Sequence, residues 1–480
     1  MSASIHHRHD PLLLPHLEAT HPLTAALSTI SFWAPAPKGE VQHRFKWLIK
    51  HLAVPHKECV YVVAFGVSVT QGQGCCQERM GCQQNCSFVT RFVQLIRGAY
   101  PKACIIEENR AVAASTSSAG LSTLEQWISK PFSRPTVVLM DYSVNDMYDH
   151  PQVMATAAEV WMMLLLQRSR YIVPVHLEIF PGLDVGNRSS WVDPHASKER
   201  MARHYGVPAL LYYRLVPWWY TCSREKWPGQ CQEQGLHGER ESTKEPLTPW
   251  WNIARRPNLR RPERKLNTPW ASYRHPFAST HQLIAEALAM AWDHWTKMVL
   301  AASEIVDGSP EQSVGPPGET RAALPSPLSD ARSLLSFAVC SSPASSFSTG
   351  MIPGVSSDGN WTYYEEAPNK PGYITMGPAG AQIEFTLRFE AEVPFFRVTY
   401  LQGYDLNGSV RLKLTSGQHV VEWETLHAKR RDDERVSQAA VFTGVSDSKH
   451  GKGISRNSTQ VMTAKLVSGS KFKIISVLAC

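Results

Sequence analysis

Between residues 60 and 216, five short apolar runs alternate with amphipathic stretches. Tyr61-Val62-Val63-Ala64-Phe65 is rich in β-branched and aromatic residues and reads as a buried parallel strand. Further strands are read at Ala103 to Ile106, Val137 to Asp141, Tyr171 to Phe180 and Ala209 to Val216. Phe88, Phe92, Leu95, Ile96 and Ala99 recur at helical spacing between the first two runs. Leu121, Leu124, Trp127 and Ile128 give a second helix, ended by Pro131. Ala155 to Leu166 and Lys198 to Tyr205 give two more, and Thr280 to Met298 is a strong helix farther on. Strands alternating with helices fold into a parallel sheet covered on both faces, a three-layer α/β/α domain. Right-handed crossovers bring the ends of strands one, two and three to a common edge.

Open α/β sheets place their chemistry at the carboxyl edge of the strands. The first strand runs into Gly66-Val67-Ser68, followed by Thr70, Gln71 and Gly72. A small-residue turn there lifts Ser68 to that edge, where it serves either as a nucleophile or as a cap of the following helix.

Four stretches in order resemble the sequence blocks of the SGNH (GDSL-type) hydrolases. Gly66-Val67-Ser68 resembles the nucleophile block, and Asn109 to Thr116 the second block, with Ala114 in place of the family's oxyanion glycine. Val144-Asn145-Asp146 resembles the Asn-Asp block, and His275-Pro276 the His-Pro of the last. The resemblance covers about residues 59–300 and implies a flavodoxin-like sheet and a serine esterase. Ser68 is then the nucleophile and His275 its base. The Ser68 and Ala114 N–H groups and the Asn145 amide form the oxyanion cradle. Asp146 either takes part or only braces its turn. His281 is a rival base, expected to face away from the strand edge. The family has Asp three residues before its catalytic His; here that position is Ser272, and a carboxylate of the 183–195 loop such as Asp193 is an alternative acid. The same serine chemistry serves an acyltransferase, and loss of the acid would suit a catalytically impaired carbohydrate-binding protein.

Residues 1–58 are Pro- and His-rich, with one short helix expected around Phe45, Leu48, Ile49 and Leu52. Residues 217–270 interrupt the α/β pattern with Trp218, Trp219, Trp250 and Trp251 beside a run of arginines. Aromatic faces stack on sugar rings, so these four are candidate substrate-binding residues; a packed insertion with a solvated basic face is the alternative. Residues 301–332 read as a Pro/Ser/Gly-rich linker. From about 333 to 480 short alternating runs, such as Gln382 to Phe389, Phe396 to Leu401 and Val410 to Leu414, predict a β-sandwich module.

A net charge of +7 on 480 residues gives no case for nucleic acid. No apolar run is long enough to span a membrane, and no glycine-rich phosphate cradle followed by Lys is present, so no cofactor is expected. The spacing of Cys75, Cys76, Cys82 and Cys86 does not match a zinc site and points to disulfides or free thiols. Cys340 and Cys480 nearly bracket the C-terminal region, as a disulfide closing a domain would. Five Asn-x-Ser/Thr sites (Asn85, Asn187, Asn360, Asn407, Asn457) and these cysteines favour a secretory route, while residues 1–30 lack a clear signal segment. The expected substrate is a carboxylic ester, with an acylated carbohydrate as the finer reading.

Overall fold

The computed structural model describes residues 36–54, 58–75, 86–128, 134–146, 151–179, 194–214, 275–276, 278–306, 324–329, 340, 345–347, 355–365, 371–403, 405–429, 437–446 and 453–480. In chain order the first region contains α1 (Gly39–Ala53), β1 (Val60–Gly66), α2 (Ser68–Gln71), α3 (Phe88–Ala99), β2 (Ile105–Asn109) and α4 (Ser117–Ile128). Then follow β3 (Thr136–Asp141), α5 (Ser143–Asp146), α6 (Pro151–Arg168), β4 (Ile172–Leu177), α7 (Pro194–His204), β5 (Ala209–Leu210) and α8 (Ala278–Val306).

The five strands form one parallel sheet in the order β2-β1-β3-β4-β5, the doubly wound order expected. Helices α1, α3 and α8 pack together on one face; α4, α6 and α7 pack on the other. Aromatic rings fill both layers. On the first face Trp292 lies 4.8 Å from Phe45 and 6.0 Å from Phe92, centroid to centroid. On the other, Phe65 meets Trp127 at 5.3 Å and Trp161 at 5.1 Å. Such rings bury large apolar areas and prefer these tilted arrangements.

Helix α1, which the sequence reading assigned to an N-terminal extension, belongs to this core: Val41, Phe45, Leu48, Ile49 and Leu52 are all buried in it. Its Arg44 is buried too. The guanidinium donates to Leu166 O at 2.9 Å and Ser169 O at 2.7 Å, a cation on the carbonyl end of α6. The helix itself was expected from the spacing of Phe45, Leu48, Ile49 and Leu52; its place in the α/β core was not.

The fifth strand is shorter than the predicted Ala209 to Val216. Among the described residues only Ala209 and Leu210 pair, with His176 and Leu177, and Tyr212–Arg214 turn into a 3₁₀ helix. Strand β4 stops at Leu177, so no partner remains beyond Leu210. The same geometry accommodates Pro174 inside β4. His176 N donates to Pro208 O, so the nitrogen two residues earlier faces the same side, where β5 does not reach and no donor is required.

The C-terminal region contains β6 (Ser345–Phe347), β7 (Val355–Ser357), β8 (Trp361–Tyr363), β9 (Tyr373–Thr375), β10 (Gln382–Phe389) and β11 (Phe395–Gln402). After these come β12 (Ser409–Ser416), β13 (His419–His427), β14 (Gln438–Val445), β15 (Ser458–Ser468) and β16 (Phe472–Ala479). They form two antiparallel sheets, β13-β12-β15-β10-β7 and β14-β11-β16-β9-β8, with β6 beside β16. This is the β-sandwich expected, and Ile383, Phe385, Leu387 and Phe389 of β10 point into its core.

Strand β11 departs from the alternation read in the sequence. Arg397 and Thr399 are the polar members of that alternation, yet both are buried, because the outer face of this sheet packs on the α/β domain. Arg397 Nη1 lies 2.9 Å from Glu125 Oε2 on α4, and neither side chain is exposed to solvent. Cys340 N donates to the other Glu125 oxygen at 3.2 Å, and Cys340 is disulfide-bonded to Cys480 across 5.6 Å between Cα atoms. Glu125, Arg397 and this disulfide thus meet at one point between the two domains. Two further disulfides lie in the first domain among the described residues: Cys59–Cys104 staples the starts of β1 and β2, and Cys75–Cys86 closes the loop after α2. No helix among the described residues is long and apolar enough to cross a membrane.

Candidate active site

Strand β1 ends at Gly66, where a Cβ would lie 2.3 Å from Thr70 Oγ1 and 2.4 Å from Asp141 O. Only glycine allows the chain to turn this tightly against β3. The turn starts α2 at Ser68, and Gly72 closes it in the left-handed region at φ 98. The helix N-cap position falls on Val67, so Ser68 Oγ caps no backbone group. It meets His275 Nε2 instead, at 2.8 Å, across 207 positions of sequence. Ser68 is 7% exposed, and His275 is half-buried just before α8.

The loop after β2 is sewn to the same edge. Arg110 N donates to Ala64 O and Val112 N to Gly66 O, continuing the strand pairing past Asn109. The Asn109 side chain donates to Thr70 O at 2.8 Å and accepts from Ala111 N at 3.1 Å. The loop then turns at Ala114, whose φ is 63. An L side chain in that region costs about 1–2 kcal/mol, so Ala114 carries a backbone strain that glycine would not. Ala114→Gly is therefore expected to raise stability by about 1 kcal/mol, read from the urea midpoint. An unchanged or lower midpoint would show that the position carries no strain.

After β3, the short helix α5 carries Asn145, whose Nδ2 donates to Ser115 O at 2.7 Å. Ser68, Ala114 and Asn145 thus sit in the turns following β1, β2 and β3, three adjacent strands of the sheet. Asp146 braces the turn. Its Oδ1 accepts from Ser117 N at 2.8 Å, at the start of α4, and its Oδ2 lies 2.8 Å from Lys198 Nζ. Lys198 also contacts Glu178 at 3.1 Å, and Glu178 contacts His176 at 2.8 Å. Burial alone would lower the Lys198 pKa, but the Asp146 and Glu178 carboxylates outweigh it and hold it up. Of this buried cluster the sequence reading singled out only Asp146, because the members are scattered over the end of β4, α5 and α7 with no motif spacing.

Beneath the serine turn, Asp141 Oδ2 accepts from Thr70 Oγ1 at 3.0 Å, and Oδ1 from Ser143 Oγ at 2.7 Å. Its burial pushes the carboxyl up to about 6 despite those donors.

His281 is not a rival base. It is fully buried: Nδ1 accepts from Phe88 N at 3.2 Å, leaving Nε2 to donate to Gln73 O at 3.4 Å. Burial lowers its pKa to about 3, so the ring stays neutral. A histidine of ordinary pKa when unfolded and depressed when folded adds stability that is complete above about pH 6.5. That stability is lost as pH falls from about 6.5 towards 3, by roughly 1.4 kcal/mol per pH unit. Between pH 7 and pH 5 the unfolding free energy of His281→Asn should therefore fall by about 2 kcal/mol less than that of the wild type. Equal losses in urea titrations of the two proteins would refute the assignment.

Trp218, Trp219, Trp250, Trp251, Asp193 and Ser272 lie outside the described residues. Among the described residues no group of three or more His, Cys, Asp or Glu side chains is arranged to hold a metal ion.

No model of a known protein family matches the chain, and no curated protein matches it. Solved structures do. A two-domain esterase active on acetylated mannans superposes with a TM-score of 0.54 at 15% identity, over 91% of this chain and 94% of that one. The same type of esterase co-crystallised with mannopentaose gives a TM-score of 0.52 at 14% identity, over the same shares, 91% and 94%. At this identity the similarity is one of fold, and it extends through both domains.

Proposed function

We propose that the chain is a serine esterase that removes acyl groups, acetyl above all, from carbohydrate. The observation that carries the reading is the 2.8 Å contact of Ser68 Oγ with His275 Nε2 at the carboxyl edge of a parallel sheet. A serine hydroxyl is a poor nucleophile without a base at this distance. The 207-residue separation makes the pairing a property of the fold rather than of local chain geometry.

In this reading Ser68 Oγ attacks the ester carbonyl carbon while His275 takes the hydroxyl proton. The carbonyl oxygen becomes an oxyanion, received by the Ser68 and Ala114 N–H groups and the second N–H of the Asn145 amide. As the intermediate collapses, His275 returns the proton to the departing sugar oxygen and an acyl-serine remains. Water, deprotonated by His275, then attacks the acyl carbon, releases the carboxylic acid and restores Ser68. Each oxyanion donor is worth roughly 10²–10³-fold in turnover.

The carbohydrate part of the proposal rests on the shared two-domain fold with an esterase active on acetylated mannans. The three disulfides among the described residues support work in an oxidising compartment. A fluorophosphonate probe should label the protein at Ser68, and acetate should be released from acetylated mannan or xylan. Labelling without acetate release from any acetylated glycan would keep the serine chemistry and reject the substrate class. No labelling would reject both.

A further inference from the structure

The two domains meet at Ala114 as well as at Glu125. Among the described residues strand β14 ends its sheet, with β11 on one side and no strand on the other. Ala439 pairs with Leu401 of β11, yet its N–H points away from that partner and donates to Ala114 O at 2.7 Å. Ala439 is 6% exposed, so the bond is shielded from water. The acceptor belongs to the residue held at φ 63 in the loop proposed to bind the oxyanion.

We propose that Ala439 is a positioning residue: through its backbone N–H, the free edge of the β-sandwich holds Ala114 in the left-handed conformation that presents the loop to the reacting carbonyl. This rests on the esterase reading of Ser68. Glycine visits the left-handed region freely, whereas alanine does so only when surrounding structure dictates it. Here a hydrogen bond from the second domain fixes the plane of the 114–115 peptide. The domains are also locked farther along the helix that follows this loop: α4 starts three residues after Ala114 and carries Glu125, bound to Arg397 of β11. The sandwich is then part of the catalytic machinery rather than an appended binding unit. The bond leaves no mark in the sequence, since it joins two backbone groups of two alanines 325 positions apart (439 − 114).

The test is a four-member cycle in the full-length protein: wild type, Ala439→Pro, Ala114→Gly and the double variant. Proline deletes the N–H, and it is tolerated on an edge strand where the N–H does not serve the ladder. Ala439→Pro should lower kcat by about tenfold or more with KM nearly unchanged, since the bond acts on the transition state. The same change in the Ala114→Gly background should cost clearly less, because glycine needs no support to keep the turn. A kcat within twofold of wild type overturns the proposal, as does an equal cost in both backgrounds. Should Ala439→Pro fail to fold, lactic acid at position 439 replaces the amide by an ester of nearly the same shape and removes only the N–H. A wild type that neither hydrolyses esters nor binds a fluorophosphonate overturns this inference together with the esterase reading. An active wild type with an indifferent Ala439→Pro overturns this inference alone.

Discussion

Ser68→Ala is expected to lower ester hydrolysis by roughly 10⁴-fold or more and to abolish fluorophosphonate labelling, while the protein unfolds at nearly the wild-type urea concentration. The two halves of this expectation have separate causes. Activity disappears because the group that forms the acyl bond is gone. Stability survives because Ser68 Oγ is bonded to His275 rather than to a helix N–H, so its removal deprives no backbone group of a partner. Loss of one such side-chain bond costs about 1 kcal/mol. His275→Ala should reduce activity to a similar extent, and the double variant should be little worse than either, because nucleophile and base act as one unit. The measurement is initial rate on a chromogenic acetate ester beside a urea unfolding curve. Retained turnover or labelling in Ser68→Ala would remove Ser68 from the chemistry. An equally inactive but unfolded variant would make Ser68 a structural residue.

The α/β domain was legible because parallel strands buried on both faces must be continuous apolar runs, as Val137 to Met140 is. Glycine at 66 was legible as part of a motif, and its necessity is now visible because a Cβ there would clash with Asp141 O and Thr70 Oγ1. Other features were not readable, for physical reasons. The environment of His281 depends on α3, which lies nearly two hundred positions away, so its helix context alone could not tell an exposed ring from a buried neutral one. The cluster of His176, Glu178, Lys198 and Asp146 is assembled by tertiary structure with no local spacing. In the sandwich, the alternation of β11 was read correctly as a strand. However, a period of two says which residues share a face, not whether that face meets water or another domain. The alternation alone therefore leaves the surroundings of Arg397 undetermined. A buried arginine on a strand is uncommon enough to signal a partner, but nothing in the sequence names Glu125 as that partner.

Glu125→Ala should destabilise the whole protein by about 3–5 kcal/mol, the usual result of removing one member of a buried ion pair. The size follows from what remains behind. Arg397 is 0% exposed and would keep its charge with its carboxylate partner removed, and Cys340 N would lose its acceptor at the same time. Burial raises the Glu125 pKa, and Arg397 works against that rise, so the carboxylate is held by the pair rather than by solvent. Yet the pair itself is not a source of net stability, because desolvating two charges offsets most of their attraction. Glu125→Leu combined with Arg397→Met should accordingly recover most of the loss, since an apolar contact can fill the same space without a charge. Urea unfolding of the three variants decides the matter. A single variant that loses less than about 1 kcal/mol would mean that water reaches Arg397 and that the domains are not tightly joined. A double variant as unstable as the single one would mean that the ion pair sets the register between β11 and α4. In that case activity should fall with it, because α4 begins three residues beyond Ala114 and any slip of the sandwich displaces Ala439 from the loop.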